Sequence, residues 1–218
     1  MPKEKPALSV QRIVESAMTI ADQAGLDALS MRKIAKSLSV EAMSLYNYLQ
    51  NKELLLDAMV EAVVAKIDLP DPALPWKMEM KKRCSSAYQV LKTHPWAAHL
   101  LMARLNVGPA MLRYVDASHG CLLMAGFSHK DADLARNLLD SYIYGFTLQE
   151  LTFPIEPDDY ASTAAEFQPR LDSSVYPYLT ALAAEVASGR YDGKLQLEFG
   201  LELLLEALES KQKSKLKS

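Results

Sequence analysis

Glycine and cysteine are scarce in this chain, with eight and two copies in 218 residues. No apolar run approaches the roughly 18 residues that a membrane-spanning helix needs. Two cysteines exclude a disulfide framework and paired C-x-x-C metal ligands. Cys84 and Cys121 each fall inside an apolar helical pattern and are expected to be buried, reduced thiols. The few glycines form no GxGxxG, GxxxxGKS or GxSxG, so phosphate-cradling loops and nucleophile elbows are missing. His94, His99, His119 and His129 have no i, i+4 glutamate partner, there is no HExxH, and Asp158-Asp159 stands in a stretch of little periodicity. No metal, no cofactor and no catalytic constellation is expected, which makes a helical enzyme the weakest reading. MPKEKPALSV is not followed by an apolar segment of signal-peptide length, so a cytoplasmic protein without membrane contact is expected.

What the chain does have is helical period. Half of its residues are hydrophobic, and long stretches repeat them at i, i+3, i+4, which predicts an all-α protein. Ser9 to Ala24 carries Val10, Ile13, Val14, Ala17, Ile20, Ala21 and Ala24 in that spacing and closes at Gly25, a natural C-terminal stop. Within ALSMRKIAKSLSVEAMSLYNYLQNK, residues 28 to 52, Ser30 can cap a helix that buries Met31, Ile34, Ala35 and Leu38 and leaves Arg32, Lys33 and Lys36 on the other side. After a break at Ser39-Val40, a second helix from about Glu41 turns Leu45 and Leu49 inward. Met43, Ser44, Asn47 and Tyr48 then face outward, with Tyr46 at the edge. Asn51 can cap the next helix and puts Lys52 in its first turn, where the macrodipole disfavours a cation unless a phosphate is near. Two short helices with their polar face turned to an anion make a helix-turn-helix, although any solvated basic hairpin has a similar pattern.

Charge distribution agrees with a sequence reader rather than an indiscriminate binder of nucleic acid. The formal net charge is −3, yet residues 1–52 hold seven Lys or Arg against five Asp or Glu, leaving the acidic surplus to the remainder. A few phosphate contacts need no more.

The stretch Ser9 to Met59 resembles the DNA-binding domain of the tetracycline-repressor (TetR/AcrR) family of bacterial regulators. AGLDALSM, RKIAKSLSV and LYNYLQNKELLLDAM match its blocks in register, with Tyr46, Lys52 and Leu54 to Leu56 on the signature Tyr, Lys and Leu positions. The resemblance implies phosphate contacts at Tyr46 and Lys52, and base contacts at Ala42, Met43 and Ser44, with Arg32 reaching in from the preceding helix. Lys33, Asn47 and Tyr48 complete the expected double-stranded DNA surface. Ser39 departs from the family, which usually has Gly in the turn.

Beyond the reading unit, residues 53–218 are expected to form a larger helical domain for effector binding and dimerisation. A connecting helix (52–67, with Leu55, Met59, Ala62 and Val63 apolar) leads to a Pro-rich linker (69–75). Helices follow from Trp76 to His94, with a stripe of Trp76, Met80, Cys84, Ala87, Tyr88 and Leu91, and then at about 95–104 and 109–125. Ser128 and Asp131 form a capping box for a helix to about Phe153. That helix is apolar on two sides, Leu134, Leu138, Tyr142 and Gly145 against Ala135, Leu139, Ile143 and Phe146. The last helix, about 194–209, sets Leu197, Leu201, Leu204 and Leu208 against Leu195, Phe199 and Leu203. A helix apolar on two faces must be covered twice. A homodimeric four-helix bundle, with Leu134, Leu138, Tyr142, Gly145, Phe199 and Leu203 at the interface, meets that need, as does a central position in a monomer.

HPWAAHL, GPAML, AGFS and SYIYGF resemble the C-terminal domain of the tetracycline-repressor branch, which implies the dimer. No histidine stands near Ile67-Asp68, where that branch carries a drug-binding one, so a magnesium-tetracycline ligand is not expected. Trp96, His99, Met102, Met111, Tyr114, Met124, Tyr142 and Phe146 are the candidates for an adaptable pocket holding a small-molecule effector, although each taken singly is more readily ordinary core. Residues 154–172, acidic and without clear period, are expected to be a long loop, and KQKSKLKS a solvated tail. The functional expectation is a ligand-responsive DNA-binding regulator, a repressor released from a near-palindromic operator. A DNA-binding dimer governed by a protein partner, or by no effector, stays open beside it.

Overall fold

Ser9 accepts the amide of Arg12 on its hydroxyl and starts α1, Val10–Ala24, which ends where Gly25 takes a positive φ. The computed structural model describes residues 7–215, and among them every regular element is helical. Ile13, Val14, Ala17, Met18 and Ala21 of α1 are buried, while Val10 and Ala24 stay exposed and Ile20 is half-buried. The buried arc is thus shifted by Met18 relative to the sequence stripe. Ser30 caps α2, Met31–Leu38, through the Lys33 amide. The turn that follows puts Ser39 at φ 56°, ψ 46°. Its neighbour Val40 returns an amide hydrogen bond to the Ala35 carbonyl at 3.0 Å, closing the helix in the left-handed manner that glycine adopts without strain. Among the described residues Ser39 is the one non-glycine with positive φ.

The chain then makes α3, Ala42–Tyr46, and α4, Lys52–Val64, the latter capped by Asn51 through the Leu54 amide at 2.9 Å. The Pro-rich segment after α4 is tied down, since the Asp68 amide donates to Ser86 Oγ and the Asp71 amide to Glu79, both at 2.9 Å. Next come α5 (Trp76–Thr93), α6 (Pro95–Ala103), α7 (Pro109–Met124) and α8 (His129–Thr152). The Asp131 amide donates to Ser128 Oγ, and that hydroxyl donates to the Asp131 carboxylate at 2.6 Å, so the expected cap forms with its carboxylate turned to the hydroxyl.

Two compact units divide the chain: residues 7–148 with 201–215, and residues 149–200. The second corrects the loop expected at 154–172. It contains α9 (Tyr160–Phe167) and α10 (Pro177–Ala187). Neither has a buried residue, so no apolar stripe marked them. The last helix, α11, runs Leu197–Lys215. Its core side is Leu197, Leu201, Leu205 and Leu208, with Leu205 rather than Leu204 in the buried register. The expected solvated tail is helical as far as Lys215, held by Lys211 to Asp131 and Lys213 to Glu209. Residues 1–6 and 216–218, which include the ends of MPKEKPALSV and KQKSKLKS, lie outside the described residues.

Candidate nucleic-acid interface and effector groove

α1, α2 and α3 form a tripod in which Ile13, Ile34 and Leu45 are fully buried. That burial fixes the opposite faces. Met43 is 76% exposed, Tyr46 and Tyr48 are about two-fifths exposed, Asn47 is exposed, and Ala42 and Ser44 are half-buried. Arg32, Lys33, Lys36 and Lys52 are all exposed, and among the described residues none has a carboxylate within ion-pair distance. Elsewhere Lys77, Lys81, Arg83, Arg104 and Arg136 all have such partners. Unpaired cations flanking a short exposed helix are what phosphates and a major groove require.

Behind this surface, α4 is fastened to the helices that follow. Arg104 forks onto Asp57 (2.6 and 3.1 Å) and reaches the Glu53 carboxylate. Glu61 accepts the amides of Ala110 and Met111, at 2.7 and 3.1 Å, and so caps α7 with a full charge. Its carboxyl fills the space that a Cβ on Gly108 would occupy, which accounts for glycine there. At the other end of α4, His94 bridges Lys66 and Asp22, each at 2.8 Å, while the Trp96 indole donates to Asp22 at 2.6 Å.

Between α6, α7 and α8 lies a groove of about 500 Å³. Leu101, Met102, Leu105, Met111, Val115 and Tyr144 give it apolar walls, and Arg136, Asn137, Asp140 and Ser141 a polar side. The buried atoms Arg136 Nε and Asn106 Oδ1, both on lining residues, have no hydrogen-bond partner among the described residues. Arg104 also lines this groove, so one side chain touches both the groove and α4.

The eight residues expected to form an effector pocket are not brought together. Met102 and Met111 line the groove. Trp96 is committed to Asp22 and Tyr114 to Asp140 in the core, because a buried indole N–H or phenol O–H needs a partner. Met124 is 75% exposed and His99 is exposed. Tyr142 and Phe146 pair with each other, and Phe146 with Tyr88, as a separate aromatic cluster.

A buried charged cluster went unseen in the sequence. Arg83, 1% exposed on α5, meets Asp140 of α8 at 2.9 Å and Ser118 of α7 at 3.2 Å. Asp140 also accepts the Tyr114 hydroxyl and Arg136. Burial opposes the charge on Arg83, but the Tyr114 ring face and the Asp140 carboxylate stabilise it and the guanidinium stays ionised. Burial likewise pushes the Cys84 thiol up and the Cys121 thiol to about 11. Both are unreactive thiols at neutral pH. Among the described residues, no group of three His, Cys, Asp or Glu is arranged to hold a metal ion, and no helix is long and apolar enough to cross a membrane.

Fold and surface together define a helix-turn-helix DNA-binding protein with a helical sensor region. Residues 13–59 match the family described as bacterial regulatory proteins, tetR family, and residues 69–212 match the tetracyclin repressor-like C-terminal domain. The chain belongs to that family of DNA-binding transcriptional regulators. It is similar to the repressor DrrR1 of Streptomyces coeruleorubidus, with 28% identity over 94% of this chain and 78% of the relative. It is also similar to the class E tetracycline repressor of Escherichia coli, with 30% identity over 66% of this chain and 69% of that protein. Among solved structures, ActR of Streptomyces coelicolor in complex with (S)-DNPA superposes with a TM-score of 0.79 at 26% identity, covering 94% of this chain and 99% of that one.

Proposed function

We propose that the protein works as a cytoplasmic homodimer whose two α3 helices read the halves of a near-palindromic operator, and that a small molecule in the α6–α8 groove releases it. The observation that carries the DNA half of this reading is the set of unpaired cations, Arg32, Lys33, Lys36 and Lys52, around an exposed α3. Lys52 sits at the positive end of α4, where only a phosphate makes an ammonium favourable. Lys52→Ala is expected to weaken binding to all sequences alike and to lower the salt slope of log K by about one unit. Titrations of a selected operator at several salt concentrations check this. An unchanged slope would remove Lys52 from the phosphate contacts.

The sensor half rests on Arg104, which lines the groove and clamps Glu53 and Asp57 of α4. A ligand that draws Arg104 inward loosens α4 and changes the spacing of the recognition helices. It acts only so far as it prefers the released form. The free donor of Arg136 and the free acceptor of Asn106 fit a largely apolar molecule with a polar end.

A second site is favoured by a different observation. The unit formed by residues 149–200 has a strongly apolar cavity of about 380 Å³, walled by Phe153, Ile155, Tyr160, Ala164, Phe167 and Val186. Filling each space decides between them. Met102→Trp should preserve operator binding and abolish the effector response, while Ala164→Trp should change neither. Hits come from a thermal-shift screen of drugs and metabolites, starting with actinorhodin, which the similar ActR holds in another of its structures. The reverse pattern would move the site to the cavity, and a screen without any hit would favour control by a protein partner.

A further inference from the structure

We propose that Met43 reads the 5-methyl group of a thymine in each half of the operator. The inference rests on the DNA-binding reading above and names the base that the reading helix selects. α3 runs only Ala42–Tyr46, and it has no Arg, Lys, Asn or Gln, the side chains that take purine edges with two hydrogen bonds. Ser44 is half-buried. The side chain that α3 offers most fully is Met43, 76% exposed, and a core role does not explain its place there.

A thioether on a flexible, unbranched stem supplies no strong hydrogen bond, but it packs readily against apolar shapes. In the major groove the thymine methyl is the one apolar group on any base edge. Met43 against that methyl removes apolar surface from water on both sides. A cytosine at the same place would press its N4 donor, and a guanine its O6 acceptor, against the thioether with water excluded. Those groups would then be left unpaired, so rejection adds to attraction.

The test uses the full-length protein and an operator selected from random duplexes. Each thymine in turn is replaced by deoxyuridine, which keeps every hydrogen-bonding group and lacks only the methyl. One thymine in each half-site should show a loss of about four-fold in affinity per methyl removed. In Met43→Ala that loss should disappear, while the thermal melt stays at the wild-type value, since the side chain is exposed. Deoxyuridine tolerated at every position, or a penalty of equal size in Met43→Ala, would overturn the proposal with operator binding intact. Failure to enrich any duplex would instead overturn the DNA-binding reading beneath it.

Discussion

Asp140→Ala is expected to lower the unfolding free energy by about 3–5 kcal/mol, the usual loss when one partner of a buried ion pair is removed. Asp140 is 7% exposed and takes three donors: Arg83 at 2.9 Å, the Tyr114 hydroxyl at 2.8 Å and Arg136 at 3.0 Å. Its loss leaves Arg83 ionised in the centre of the helical core, with Ser118 Oγ, Cys84 Sγ and the Tyr114 ring face as neutral partners. Arginine does not escape by deprotonation, because its pKa lies far above working pH. Asp140→Asn should lose less, since the amide still accepts from Tyr114. The double replacement Arg83→Leu with Asp140→Leu should lose less than Asp140→Ala, because it removes both charges of the closest pair together and leaves only Tyr114 and Arg136 short of an acceptor. Urea unfolding at one protein concentration, without ligand, measures all three. A loss below about 1 kcal/mol for Asp140→Ala would mean that water reaches Arg83.

Leu203→Glu is expected to convert the proposed dimer to monomers and to reduce operator affinity by at least about 100-fold, because two half-sites then bind separately instead of as one linked event. Leu203 is 53% exposed on α11, Phe199 one turn earlier is 67% exposed, and on α8 Leu134 and Leu138 are 50% and 43% exposed. The opposite stripe of α8, Ala135, Leu139 and Ile143, is fully covered by its own chain. Four large apolar side chains in two facing-out stripes match a helical bundle that needs a second copy. A carboxylate in that bundle cannot be hydrated, yet on the monomer surface it is harmless. The variant should therefore keep its helical circular dichroism while light scattering reports half the wild-type mass. A folded wild-type monomer at micromolar concentration would end both the bundle and the palindrome.

Local chemistry was legible. Ser30 and Asn51 cap helices as their positions before apolar repeats suggest, because an N-cap bond spans only three residues and needs no knowledge of the rest of the chain. The two stripes of α8 were likewise visible as a period, and so were the outward-facing residues of α3. Residues 160–187 were not legible. Pro169 and Pro177 interrupt the stretch, and neither α9 nor α10 buries a face that would impose a stripe.

By itself, the sequence determined the helices other than α9 and α10, the caps at Ser30 and Asn51, and the exposed reading surface, since these follow from interactions within a turn or two. Tertiary structure alone decided which stripe of α8 faces the core, that Glu79 and Arg83 on α5 are buried, and that Arg104 reaches back to α4. A charged residue reads as surface unless a partner awaits it, and the partners of Arg83 and Arg104 lie far along the chain, on other helices. Only the fold brings them within bonding distance. The eight candidate pocket residues separated for the same reason: aromatic and methionine side chains suit core and cavity equally, and packing across helices assigns each to one or the other.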